Sequence, residues 1–132
     1  RAVIERWGEV GFFVAEEDNV LLGLIGWQVE NLVACVTDLL VWPARERDRV
    51  GGALLRQMED AAADLQAEAV LLLLPLTRLS DLLSFCETFG YTLRRVGELP
   101  RAWRNMAHRA EREDDDEIPV KQLRADHVVR PL

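Results

Sequence analysis

The sequence predicts an α/β (α+β) fold: a mixed, mostly antiparallel central sheet with helices on both faces and one parallel strand–helix–strand crossover. Three observations carry this. Residues 11–43 read as three consecutive strands joined by short turns. An amphipathic helix follows, with Leu54, Leu55, Met58, Ala61, Ala62 and Leu65 on one side and Arg56, Gln57, Glu59, Asp60 and Asp64 on the other. Ala69 to Pro75 (AVLLLLP) is then apolar at every position and too short for a buried helix, so it predicts a central strand covered on both faces. A strand, helix and strand in this order form a right-handed crossover, which places the loop before the helix at the carboxyl edge of the sheet, where ligands bind.

Taken in order, residues 1–8 (RAVIERWG) have apolar spacings compatible with the end of a short helix stopped by Gly8. GFFVAEEDN is a strand with a turn at Glu17 to Asn19, and VLLGLIGWQVE is its antiparallel partner. Gly23 and Gly26 inside that second strand indicate a bulge or the close approach of another backbone. The third strand, LVACVTDLLVWP, follows Asn31 and ends at Pro43. Further on, Ser80 is a candidate N-cap for a helix with Leu79, Leu82, Leu83, Cys86 and Phe89 on its apolar side and Gly90 as its stop. YTLRRVGEL and RAWRNMAHR predict two closing strands around Pro100.

At 132 residues and 49% apolar composition, the chain suits one domain with one core. No apolar run approaches the roughly 20 residues that span a bilayer, and the N-terminus lacks a charged-then-apolar signal pattern, so the expected location is cytoplasmic, with no membrane partner. Cys35 and Cys86 have no CxxC spacing, which predicts reduced thiols, and with only His108 and His127 in the chain no metal site is expected. The net charge is −7, but the tract Glu111–Glu117 holds six acids and one arginine and leaves −2 for everything else. Total charge therefore says little about partners, and the tract reads as a solvated linker.

The stretch Ala44 to Gln57 (ARERDRVGGALLRQ) joins the third strand to the helix with three arginines and then Gly51 and Gly52. Glycines at a helix N-terminus expose N–H groups without intrahelical partners, and the helix dipole favours negative charge there. Such a loop is built for a phosphate; the bland alternative is a strand-to-helix connection whose arginines are merely solvated. Nucleic-acid binding is not expected, because no interleaved basic and aromatic residues extend the patch.

This order of elements, with VWPARER, RDRVGGALL and SFCETFGY at their places in it, resembles the GNAT superfamily of acyl-CoA-dependent N-acetyltransferases over roughly residues 9–108. The superfamily's signature of Arg or Gln, two residues, Gly, one residue, then Gly or Ala is matched by Arg47 to Gly52, with Val50 in place of the first glycine. The resemblance implies acetyl-CoA as cosubstrate and a primary amine as acceptor. It implies that the backbone N–H groups of Val50, Gly51, Gly52 and Ala53 cradle the pyrophosphate, that Arg47 and Arg49 add charge, and that Leu39, Leu40 and Val41 pair with the pantetheine amides. It further implies a proton donor in the later helix, where this chain has Cys86 instead of the usual Tyr.

The attacking amine must be neutral, which calls for a base or a water chain. The candidates are Asp38, which by strict alternation shares a face with Val36 and Leu40, and Glu30 beside the strand turn. A different class of function, a CoA-sensing, regulatory or dimerising module without turnover, is favoured by Val50 and by the missing Tyr.

The domain organisation expected is a core over 1–110 lacking the family's first strand and helix, an acidic linker over 111–117, and a segment over 118–132 resembling that missing strand and helix. The last segment implies a permuted order, exchange of the tail with a neighbouring copy in a homodimer, or the start of a tandem copy; an ordinary C-terminal tail is the plain alternative.

Overall fold

The structure, a computed structural model, describes residues 2–7 and 10–124. Among the described residues seven strands form one sheet in the order β1-β2-β3-β4-β5-β7-β6. Strands β2 (Val10–Glu17), β3 (Val20–Glu30) and β4 (Val33–Val41) make the expected antiparallel meander. Its turns are two-residue turns with positive φ at Asp18 and Asn19 and at Asn31 and Leu32, the backbone twist that tight hairpins need.

Residues Ala2–Trp7 form a strand, β1, paired antiparallel with β2 at the sheet edge, and not the end of a helix. The core therefore has a strand before the meander, contrary to the expectation that none is present. A short segment rich in β-branched and aromatic residues has little helical preference of its own, and an open sheet edge supplies its hydrogen bonds.

The crossover is as expected: α1 (Gly52–Asp64) leads to β5 (Ala69–Leu72), which runs parallel to β4 in the register Val33↔Ala69 to Val36↔Leu72. Each residue of β5 is buried. Val70 and Leu72 join Leu54, Leu55, Met58, Phe85 and Cys86 beneath α1 and α2 (Leu76–Thr88), while Ala69 and Leu71 join Trp103, Met106 and Ala107 beneath the opposite face. Leu65, placed in the apolar stripe by spacing, lies at the C-cap and is exposed.

Three further expectations change. Helix α2 begins at Leu76, directly after Pro75, so Ser80 lies inside it and is no cap; proline's fixed φ suits a helix start. RAWRNMAHR is a helix, α3 (Arg101–Arg109), and only TLRR before it is a strand, β6 (Thr92–Arg95). Trp103, Met106 and Ala107 recur at helical spacing and all three are buried against the sheet.

Glu117–Gln122 form β7, inserted between β5 and β6 and antiparallel to both. The run expected to open a second or permuted copy is thus an interior strand of this sheet, and the helix start expected at Asp126 lies outside the described residues. The acidic tract before β7 is no free linker. Arg112 within it is only 8% exposed and donates to the carbonyls of Leu74 and Ala110, while the carbonyls of Asp114 and Asp116 accept from Gly97 and Val96. A buried guanidinium surrounded by carbonyls keeps the acids folded over the end of α3.

Helices α1 and α2 approach each other at Gly51 and Gly52. A Cβ on Gly51 would lie 2.9 Å from the Phe85 ring and 3.5 Å from Val41, and one on Gly52 would overlap the Phe89 ring. Helix propensity alone favours alanine over glycine by up to about 1 kcal/mol. The overlap with Phe89 outweighs that gain, so Gly52→Ala is expected to lower stability by about 1–3 kcal/mol, the range for overpacking. Urea unfolding checks this; a variant as stable as the parent would show that the glycine is not held by packing.

A partly buried network closes the same side. The Tyr91 hydroxyl donates to Glu59 at 2.7 Å, and Lys121 bonds Glu59 at 3.0 Å and the Phe89 carbonyl at 3.0 Å. Burial, followed by the Glu59 charge, pushes the Tyr91 hydroxyl well above its ordinary range and keeps it a donor. Lys121→Met leaves Glu59 with Tyr91 alone and is expected to cost roughly 1–3 kcal/mol in the same unfolding measurement.

Candidate active site at the divergence of two parallel strands

Pairing between β4 and β5 stops early. After Val36↔Leu72 there is one further bond, Leu73 N–H to the Val36 carbonyl at 2.8 Å, and β4 then continues through residues 37–41 without β5 beside it. The cause is in the neighbouring pair. Gly26 faces Asp38 while Trp27 faces Val36, so Thr37 is an extra residue, a β-bulge that bends β4 away from its partner. Gly26 makes room for it: a Cβ there would meet the Phe12 ring at 2.8 Å and the Asp38 carboxylate at 3.0 Å.

The bulge also shifts the alternation of β4. Val36 and Leu39 both point into the core under α1, three residues apart, and Val41 packs on its margin. Asp38 and Leu40 are therefore on the opposite face, and both are exposed. Asp38 does not share the face of Val36, as strict alternation predicts, and it is not buried; it accepts a hydrogen bond from the Thr37 hydroxyl at 3.1 Å. It stands at the closed end of the gap. Leu39, Leu40 and Val41 lie along the gap's open length.

At the end of β4 the sequence's glycine loop is helical throughout. A 3₁₀ turn over Ala44–Glu46 and a π turn over Arg47–Gly51 run directly into α1. Wide turns of this kind are common at functional sites. They also consume donors. The Gly52 N–H bonds the carbonyls of Arg49 and Asp48, so it is withdrawn from the expected pyrophosphate cradle. Val50 is buried, and a Cβ on Gly23 would lie 2.9 Å from its side chain. Its side chain thus faces the core and leaves the outer surface of the turn clear, so the valine puts no bulk where a ligand would lie. Ala53 is exposed in the first turn of α1.

The two arginines separate. Arg49 bonds Glu46 at 2.6 Å and Glu17 at 3.1 Å, which ties the turn to the end of β2 and occupies the charge expected for phosphate. Both carboxylates hold its guanidinium above the ordinary range, the hydrogen bond to Glu46 contributing most. Arg47 is half-buried and sits close enough to Cys86 to stabilise its thiolate.

Cys86 is 1% exposed in the core between α1 and α2. Burial pushes its thiol up to about 11, with Arg47 opposing the rise, so it stays protonated at neutral pH. Glu30 is at the wrong end. It lies beside the β3–β4 turn, about 23 Å along the strands from Val41 at roughly 3.3 Å per residue, and Arg109 grips it with contacts of 2.7 and 3.0 Å. That hydrogen bond holds its carboxyl below the usual range, the opposite of what a base needs. The bulge that Gly26 indicated has its extra residue on the partner strand, at Thr37; sequence reasoning missed that placement, and it missed the partners of Arg49, Arg109 and Arg112, for which there is no local signal. Among the described residues no group of His, Cys, Asp and Glu could hold a metal, and no helix is long and apolar enough to cross a membrane.

Residues 1–91 match the family profile described as acetyltransferase (GNAT) family. No curated protein matches the chain. Among solved structures the chain is similar to an acetyltransferase of the GNAT family from Staphylococcus aureus Mu50, with TM-score 0.67 and 15% identity over 88% of this chain and 69% of that one. It is similar to the PaiA N-acetyltransferase of Thermoplasma acidophilum in complex with coenzyme A, with TM-score 0.63 and 18% identity over 86% of this chain and 61% of that one. It is also similar to the aminoglycoside 6′-N-acetyltransferase from Enterococcus faecium, with TM-score 0.60 and 18% identity over 90% of this chain and 77% of that one. At these identities the likeness shows the fold.

Both cysteines are buried. Native protein is expected to release no colour from a thiol-specific disulfide reagent over minutes and to release two equivalents in denaturant, the full cysteine count of the chain. Rapid labelling of one thiol in the native state would place Cys86 on an accessible surface and reopen a chemical role for it.

Proposed function

The chain belongs to the acetyltransferase (GNAT) family, which uses acetyl-CoA, and from that premise we propose that it transfers the acetyl group of acetyl-CoA to a primary amine of a small molecule or protein. The single observation that carries this is the gap between β4 and β5, a strand edge left open at residues 37–41 and ending against the helical turn at Arg47–Gly51.

The residues present fit the cofactor in outline. The edge of Leu39 to Val41 offers N–H and C=O groups with the spacing of an extended chain of amides. The helical run beginning at Ala44 brings the positive end of its dipole, and Arg47 a full charge, to the same end of β4. Acetyl-CoA supplies an activated acyl thioester. Asp38, exposed at the closed end of the gap, is the carboxylate placed to take the proton that the incoming ammonium must lose, and Glu30 has no part in this. The departing thiolate needs a proton in return. Cys86 lies below the gap in the core, so water is the donor in this arrangement.

A second reading keeps the fold as a CoA-binding module without turnover. What favours it is the burial of Cys86 at the position where the family's usual donor stands, together with the withdrawal of Gly52 and Arg49 from the phosphate site.

Calorimetry with acetyl-CoA tests the first requirement. Binding in the micromolar range is expected, weakened about tenfold or more in Arg47→Ala, as for loss of a charge-assisted hydrogen bond worth roughly 1.5–3 kcal/mol. Absence of heat at millimolar acetyl-CoA would sink both readings. Binding without release of free CoA thiol over an amine panel, unchanged in Asp38→Asn, would select the module.

A further inference from the structure

We propose that the acceptor is a primary amine carrying an extended alkyl or aryl body, with its ammonium at Asp38 and its body laid along the bare upper half of the β3–β4 face. This rests on the acetyl-transfer reading and adds the class of acceptor. Among the described residues, helix α3 covers that face of the sheet at its lower end, where Cys35, Leu71 and Leu73 are buried against Trp103 and Met106. Past the bulge the same face of β4 carries Asp38, Leu40 and Trp42 at successive outward positions, with Leu24 opposite Leu40.

Leu40 is 50% exposed and Trp42 77% exposed, a large uncovered apolar area at the mouth of the gap. With Leu24 they help line a cavity of about 350 Å³ at the end of the two strands, where Leu22 and Val41 reach it from the α1 side. That volume is of small-molecule size. The lining contains no charged side chain, so a polycation would lose hydration there without recompense.

The polarity of the face supplies the orientation. Asp38 is the carboxylate at its inner end, about 7 Å along the strand from Leu40 and about 13 Å from Trp42 at roughly 3.3 Å per residue. An amphipathic amine laid on this line puts its nitrogen at the closed end of the gap, where Asp38 and the divergence of β4 from β5 coincide.

The test is binding of a homologous series, butylamine to octylamine, to the full chain loaded with CoA, read by calorimetry. Affinity is expected to tighten up to about fourfold per added methylene. Leu40→Asn and Trp42→Ala are expected to flatten that dependence, and both residues are exposed, so folding should survive. Asp38→Asn is expected to weaken every member alike without changing the slope. Octanediamine, equal in length but charged at the far end, is expected to bind far more weakly than octylamine. A flat series, a slope that survives Leu40→Asn, or equal binding of the diamine overturns the proposal. So does a dimer, seen by sedimentation, that Leu40→Asn dissolves while alkylamines fail to bind. Release of free CoA thiol from acetyl-CoA in parallel mixtures decides the acetyl-transfer reading separately, since amine binding is read without turnover.

Discussion

The register of β4 against β5 is the constraint on which the rest of the molecule depends. Four parallel rungs, Val33↔Ala69 to Val36↔Leu72, hold the two strands together, and the extra residue at Thr37 then turns β4 aside. Without those rungs there is no common core, since β4 and β5 each contribute to both apolar clusters. Without the bulge the strands would remain paired and there would be no gap. The unpaired edge beyond Val36 is costly for a closed sheet, and a sheet keeps such an edge only where something else lies against it.

The second constraint is the close contact of α1 with α2. Gly51 and Gly52 are small because Phe85 and Phe89 lie on them. Phosphate binding and helix packing both select glycine at this point, and in this chain packing is sufficient to explain it. In the proposed reading, charge, more than bare N–H groups, is then left to attract the pyrophosphate. Of the two arginines set there by sequence, Arg49 is already held by Glu46 and Glu17, and Arg47 is the one that faces the α1–α2 seam near Cys86.

The paired charges elsewhere act as ties between distant segments. Arg109 joins α3 to Glu30 at the lower end of β3, Lys121 joins β7 to Glu59 on α1, and Arg112 joins the acidic tract to the carbonyl after β5. The exposed pair adds little stability in itself, while the partly buried one would be costly to break. Asp38 stands apart from these ties, at the gap, where it accepts a hydrogen bond from the Thr37 hydroxyl.

The meander, the crossover and α1 were legible because each depends on local pattern: turns at Asp18–Asn19 and Asn31–Leu32, an all-apolar β5, and a helical stripe from Leu54 to Ala62. The open strand edge at Leu39 to Val41 lies where the same order of elements led one to expect it. Other features were set by contacts that no window of sequence contains. Ala2–Trp7 is a strand because β2 offers it an edge, whereas Arg101–Arg109 carries the helical spacing of Trp103, Met106 and Ala107 in its own sequence. Glu117–Gln122 belongs to this sheet because β5 and β6 stand apart by one strand's width. The exposure of Asp38 depends on Thr37 being opposite nothing, which is a property of pairing and not of either strand. Local periodicity is encoded within a few residues of chain and can be read there; register, bulges and the partners of charges exist only between segments, so they are determined when the segments meet.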